Sequence, residues 1–285
     1  MEPAKTTPTN VEEPPIEEKK KESGSLPRFI LTLAFLAWFL RCFVFAPFYI
    51  PSGSMQPTLY IGDYLAVAKW PYGYSRYSFL GEIPSFDGRI LSHLPKRGDV
   101  VVFRHPTEDS DLIKRVIGLP GDVIEVRAGE LYLNGQPVKR EKLPPLGIPV
   151  SPNSPCVGAP GVTPTIVVGN GTQNCVFSAY RETLPGGPSY VTYDQLPNGP
   201  ADNFPAVDVP EGSVFLMGDN RDNSLDSRFS PAEGGVGMLP VENIIGRATV
   251  TFWSTDGSAS WLLPWTWFTA LRGTRIGNGY TDQHR

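Results

Sequence analysis

The sequence predicts a mainly β protein: a membrane-anchored, barrel-like β-sheet core with a loop-rich β insertion, tethered by one N-terminal transmembrane helix. Three observations carry that expectation. The run "LPRFILTLAFLAWFLRCFVFAPFYI", residues 26–50, is long enough to cross a hydrocarbon core of about 30 Å at about 1.5 Å per helical residue. Beyond it come short segments rich in Val, Ile, Leu and Tyr, punctuated by Gly or Pro. Finally, the 285 residues include 30 prolines and 29 glycines, which favours strands joined by turns over a helical bundle.

The elements follow in order. Residues 1–25 are charged, Pro-bearing and nearly free of large apolar groups, so they cannot bury enough surface to offset ordering entropy and are expected to be a disordered cytoplasmic tail. The transmembrane helix is assigned to residues 26–48. It is too long for the apolar region of a cleavable leader, and Arg28 lies behind a long acidic stretch. Arg41 at the bilayer centre would cost about 3 kcal/mol, so it is expected to snorkel toward a headgroup. Lys19, Lys20, Lys21 and Arg28 flank the start of the span, which puts the N-terminus in the cytoplasm and everything after the span outside.

A β core is expected over 49–138, with strand-like text at "DYLAVAKW", "GDVVVF", "LIKRVIGL" and "DVIEVRAGELYLNG". Residues 139–210 turn rich in Pro, Gly, Asn and Ser and read as the loop-rich insertion. The core resumes over 211–258 with "SVFLMGDN" and "NIIGRATVTFW". Cys156 and Cys175 fall in the insertion, and in an oxidising compartment a bridge is favoured over two thiols. The end, residues 259–285, clusters Trp261, Trp265, Trp267 and Phe268 beside Arg272 and Arg275. Such text suits a membrane interface, making lipid a partner, or else a terminal plug on the core.

The formal net charge of −4 gives no reason to expect nucleic acid as a partner. With three histidines, no His-Glu-x-x-His and no Cys-x-x-Cys, neither a metal nor another cofactor is expected. The chemistry must come from side chains. Ser52 and Ser54, in "YIPSGSMQPTLYIGDYL", would ordinarily make a turn. As a nucleophile Ser54 needs a base, because a free hydroxyl is weak at neutral pH. His105 follows a strand and could serve a Ser-His-Asp arrangement, though no Gly-x-Ser-x-Gly supports it. Lys114 sits among Leu112, Ile113, Val116 and Ile117. Strand alternation sends Lys114 and Arg115 to opposite faces, so one of them must face inward or into a cleft. Burial would lower the lysine pKa. At the ordinary value only about 0.04% is neutral at pH 7, whereas near 8 about a tenth is. Arginine cannot do this.

At these residues the sequence resembles a known family. "IPSGSMQPTL", "RGDVVVF", "IKRVIGLPGD" and "GDNRDNSLDSR" are similar, in order, to the motif series of bacterial type I signal peptidases, from residue 48 to about 248. The resemblance implies a membrane-anchored endopeptidase of the bacterial plasma membrane, cutting signal peptides from exported preproteins. The one apolar run makes this chain single-pass where some relatives have two spans, and the flanking lysines put its catalytic domain on the outer face. The resemblance also implies Ser54 as nucleophile, Lys114 as general base, and the Ser54 N–H with the Ser52 hydroxyl as oxyanion hole. Ser224 would hydrogen-bond and orient Lys114, and Asp226 with Arg228 would form a supporting ion pair. Asp219 and Arg221 are expected to be structural. Phe48, Ile50 and Ile113 would wall pockets for small side chains at the −1 and −3 positions, with the substrate adding as a strand along residues 48–51 and 111–113. Two rivals remain open: a specialised Ser/Lys processing peptidase of the pilin, conjugation or SOS-repressor type, and a non-catalytic membrane-anchored binding protein on the same fold.

Overall fold

A computed structural model describes residues 25–169, 171–260 and 262–280. The expected tail, apart from Ser25, lies outside the described residues, as do Trp261 and His284. The chain divides into two compact units at Trp38 and Phe39.

The first unit is dominated by helix α1, Ser25–Phe39. Pro27 sits in its first turn, where a missing N–H costs nothing. Its Leu, Ile and Phe side chains are exposed on every side, which suits lipid rather than water. Together with the π-helical turn Leu40–Val44 it makes a 19-residue apolar span, Leu26–Val44. The helix therefore stops at Val44 and not at 48. Pro47 cannot donate an i→i−4 bond and disfavours helix at the residue before it, and Phe45–Tyr49 becomes strand instead.

The second unit contains the strands. They are β1 (Phe45–Tyr49), β2 (Asp63–Ala68), β3 (Val100–Arg104), β4 (Asp111–Gly118), β5 (Val123–Arg127), β6 (Glu130–Leu133) and β7 (Gln136–Pro137). There follow β8 (Lys139–Pro149), β9 (Thr165–Gly169), β10 (Thr172–Thr183), β11 (Ser189–Tyr193) and β12 (Phe204–Asp208). The last are β13 (Ser213–Met217), β14 (Leu239–Pro240) and β15 (Ile244–Ser254). A seven-stranded antiparallel sheet runs β1-β2-β15-β3-β4-β13-β14. It curls around an apolar cluster to which β2 gives Leu65 and Val67, β15 gives Ile245 and Ala248, β3 gives Val100 and Val102, and β4 gives Ile113.

Both faces of this sheet are covered, which explains its nearly unbroken apolar strands. In β3 the alternation sends Val100 and Val102 to the inner cluster, and Val101 and Phe103 to a second one with Val116, Leu216 and Ile244. Strand β13 alternates likewise. Val214 and Leu216 join the second cluster, while Phe215 and Met217 pack against Ile124, Leu131 and Leu133 of the small sheet β12-β5-β6-β7.

The insertion is more ordered than its composition suggested. Strand β10 pairs with β8 from Thr183↔Lys139 to Asn174↔Pro149, and also with β11 and β9. Nor is 139–210 a clean module, since β12 leaves it to pair with β5 of the core. A buried ion pair ties it down further: Arg221, in the turn after β13, donates to Glu182 of β10 at 2.6 Å, and Tyr190 of β11 adds its hydroxyl at 3.0 Å. Sequence gave no hint of this partner, because the two residues stand 39 positions apart.

Cys156 and Cys175 are bonded, with Cα atoms 5.2 Å apart. The bridge closes a sequence separation of 19 residues, so its removal should cost about 3 kcal/mol. Denaturant unfolding of a Cys156→Ser/Cys175→Ser variant checks this: a midpoint equal to the parent's refutes it.

Candidate active site

The loop between β1 and β2 presents Ser54. Its base is closed by the Ile50 N–H to Asp63 O and the Gly62 N–H to Ile50 O, each 2.9 Å, and within it the Leu59 N–H returns to Met55 O at 2.9 Å. Met55 and Leu59 are fully buried in the inner cluster beside Ile50, so the loop is pinned by its own apolar side chains. Lys114 projects from β4 at the position paired with Val101. Its Nζ lies 2.7 Å from Ser54 Oγ. Both residues are buried, Ser54 at 8% and Lys114 at 4% exposure.

Burial pushes the Lys114 amine down to about 8, against the opposing pull of Asp226 and Asp219. A second lysine shows that a dry amine alone does not define a base. Lys69 is also buried and also pushed down to about 8, chiefly by desolvation, but its Nζ donates to the backbone carbonyl of Ser78. Contact with Ser54 distinguishes Lys114.

Three braces hold the pair. Asn220 grips the backbone at Ser54, its N–H donating to Ser54 O at 3.0 Å and its Nδ2 to Gly53 O at 3.1 Å. Arg115 is as buried as its neighbour, because both faces of the sheet are covered and alternation buries the two residues on opposite sides. Its guanidinium forks onto Asp219 at 2.8 and 2.7 Å and reaches Gly98 O at 2.8 Å, and the same Asp219 accepts the Thr58 hydroxyl. Asp226 and Arg228 form the expected ion pair, two contacts of 2.9 Å, and Asp226 also accepts the Gly218 N–H at 2.9 Å. Burial opposes the Asp226 charge, yet Arg228, the Gly218 N–H and Lys114 hold its carboxyl below the usual range.

The bracing roles of Asn220 and Thr58 are not legible in sequence, since an amide bonded to distant backbone, or a hydroxyl bonded to a distant carboxylate, carries no periodic or spacing signal. The available hint is that Asn220 lies inside the "GDNRDNSLDSR" motif and Thr58 inside "IPSGSMQPTL".

Ser224 departs from expectation. Its Oγ is buried but has no hydrogen-bond partner, so the bond expected with Lys114 is not made. Lys114 Nζ is bonded to Ser54 instead, and Ser224 is tucked against Gly218, where a Cβ would come within 2.3 Å of Ser224 Oγ. Ser52 is exposed on the nucleophile loop. Phe48, Ile50 and Ile113 do meet, in the inner cluster with Met55.

His105 is excluded as a base. Its Nδ1 accepts the Glu108 N–H at 3.0 Å, leaving Nε2 to donate to Gly235 O at 2.9 Å, and both nitrogens are thereby committed far from Ser54 in bonding terms. The Ser-His-Asp alternative falls with it. Among the described residues Asp194, Asp202 and Asp222 bring carboxylate oxygens within 4.8 Å. Arg140 already pairs with Asp194, and the other two accept backbone N–H groups from Gln195, Leu196 and Gly199, so the cluster reads as a loop brace. At the C-terminal end Leu262, Trp265 and Phe268 are exposed as an interface would have them. Arg272 and Arg275 are not: both turn inward onto Ile61 O, Thr58 O and Asp63.

A buried serine against a neutralisable lysine is a hydrolase arrangement, and comparison with known proteins gives the family. The profile of the family described as signal peptidase, peptidase S26, matches residues 24–253. Signal peptidase I of Rickettsia typhi is 34% identical over 275 residues, spanning 90% of this chain and 92% of that protein. That of Rickettsia conorii is 37% identical over 245 residues, spanning 83% and 80%. A crystal structure of a signal peptidase I from Enterococcus faecalis overlaps 55% of this chain and 98% of its own, at 23% identity and a TM-score of 0.28, a likeness too loose to argue from. The chain belongs to the signal peptidase S26 family: it is a membrane-anchored serine peptidase that removes signal peptides.

Proposed function

We propose that Ser54 is the nucleophile of this peptidase and Lys114 its general base. The observation that carries the reading is the 2.7 Å contact between Lys114 Nζ and Ser54 Oγ in a water-poor setting. The neutral amine takes the hydroxyl proton as Oγ attacks the scissile carbonyl, then passes it to the departing amine; water repeats the cycle on the acyl-enzyme. The Ser54 N–H and the Ser52 hydroxyl stabilise the developing oxyanion, where one such donor typically contributes about 3 kcal/mol. Asp226 with Arg228 holds the turn that carries Ser224 against the site.

The substrate lies extended between two strands with open backbone. Strand β1 is the edge of the sheet, and residues 111–113 pair with β3 alone, since β13 joins β4 only from Arg115 onward. Its −1 and −3 side chains then meet Phe48, Ile50 and Ile113, which leaves room only for small groups. The lysines before the span put the N-terminus in the cytoplasm and the catalytic unit on the outer face of the bacterial plasma membrane. Anchoring enzyme and preprotein in one bilayer raises their effective concentration.

The test is direct. Purified full-length protein in detergent should release the mature part of one precursor ending in Ala-x-Ala, and a Ser54→Ala variant should release none. Equal cleavage by the two proteins refutes the assignment.

A further inference from the structure

The loop that carries Ser54 is braced from a part of the chain that the family match does not reach. After a short helix, α2 (Thr266–Thr269), the chain turns back through Gly273–Arg275 and runs beside β15. There the Gly277 N–H bonds Thr251 O at 2.9 Å, the Thr251 N–H bonds Asn278 O at 3.0 Å and the Tyr280 N–H bonds Thr249 O at 3.2 Å. Tyr280 is buried in the inner cluster with Ile50 and Met55. The segment is thus fixed at both ends, and Arg275 stands on it as on a rigid mount.

Arg275 makes two kinds of contact at once. Its Nε donates to both oxygens of Asp63 at 3.0 Å, and its Nη2 donates to Asp63 Oδ2 at 2.6 Å and to Thr58 O at 2.9 Å. Its guanidinium also lies 3.7 Å from the centroid of the Tyr60 ring. Asp63 is fully buried and, among the described residues, otherwise receives only neutral donors, Ser254 Oγ at 2.7 Å and the Tyr60 N–H at 2.8 Å. Arg275 is therefore its counter-charge, supported at greater range by Arg272, which bonds Ser254 Oγ and the Ile61 and Thr255 carbonyls. Thr58 is gripped on two sides, its hydroxyl by Asp219 from the motif side and its carbonyl by Arg275 from the C-terminal side. A planar fork can hold a carboxylate and a carbonyl together, which an ammonium cannot do with fixed geometry.

We infer that Arg275 is a positioning residue for the nucleophile: by holding Asp63 and the Thr58 carbonyl at once, it sets the place of Ser54 against Lys114. This rests on the proposed roles of Ser54 and Lys114. Catalysis falls about a hundredfold for a misplacement of about 1 Å, so the brace acts on turnover more than on binding. The C-terminal segment is then a working part of the active site.

The experiment uses the full chain in detergent on an Ala-x-Ala precursor, comparing the parent with Arg275→Gln and Arg275→Lys, below the unfolding temperature of each. For Arg275→Gln, kcat should fall about tenfold to a hundredfold with KM within about twofold. The midpoint of its pH–rate profile should move upward as the site loosens and water reaches Lys114. Arg275→Lys keeps the charge and should recover part of kcat; it also serves if the glutamine variant does not fold. Variants that unfold at lower temperature but, while folded, keep the parent's kcat, KM and midpoint overturn the inference, leaving Arg275 a prop for stability alone. The two failures are distinguishable. Ser54→Ala as active as the parent sinks the catalytic assignment, whereas parental kinetics in both Arg275 variants sink only this one.

Discussion

Lys114→Arg should leave a folded protein with essentially no cleavage, a loss of about 10⁴-fold to 10⁶-fold in kcat/KM, comparable to removing a member of a catalytic unit elsewhere. Arginine keeps the positive charge and much of the length, so electrostatic and packing explanations are controlled, but it cannot give up its proton. In the parent, the sign of the pH dependence follows from which form is the base. Burial has pushed the Lys114 amine down to about 8. Below that the amine is protonated and inactive, so kcat/KM should rise about tenfold per pH unit and level off above about 8. A profile with its midpoint near 6.5 points instead to an imidazole, which the commitments of both His105 nitrogens argue against. The profile and the arginine variant together test the base from two independent sides.

Gly218→Ala should also be damaging, though less so, and by a different route. An added Cβ would come within 2.3 Å of Ser224 Oγ, 2.5 Å of Ser224 Cβ and 2.6 Å of Ser54 O. A hydroxyl can rotate away, but Ser54 O is backbone and is held by the Asn220 N–H. The new methyl must therefore push the nucleophile's own main chain or the motif turn. A shift approaching 1 Å predicts a fall in kcat of about a hundredfold, together with lost stability from overpacking of about 1–3 kcal/mol. Steady-state kinetics with thermal unfolding checks both, and parental kcat in the alanine variant refutes the close approach.

Much of this site was legible in sequence, and the reasons are physical. Strand alternation requires that Lys114 or Arg115 turn inward among Leu112, Ile113, Val116 and Ile117, but it does not say which, and the structure buries both. The mainly β architecture followed from short apolar runs broken by Gly and Pro, and the span from its length. What stayed hidden depends on long-range contact. Residues 139–210 read as loop because Pro and Gly mask the pairing of β8 with β10, which only the folded register reveals. An apolar run reads alike in a lipid-crossing helix and in a strand, which extends the apparent span to 48; Pro47 is the residue that excludes helix there. Arg272 and Arg275 suggested a lipid headgroup because their carboxylate, Asp63, lies more than 200 positions away. The orientation of Ser224 is a matter of one rotamer, and no sequence pattern records a rotamer.

The buried pairing of Arg221 with Glu182 has a bearing on how such a chain can diversify. Strand β10 carries the only carboxylate that faces Arg221 closely enough to bond it among the described residues. Excising the inserted sheet would strand a guanidinium in the dark next to the catalytic motif, so the appendage is no longer optional. Its outward rim can drift freely, while its root is inherited together with the enzyme.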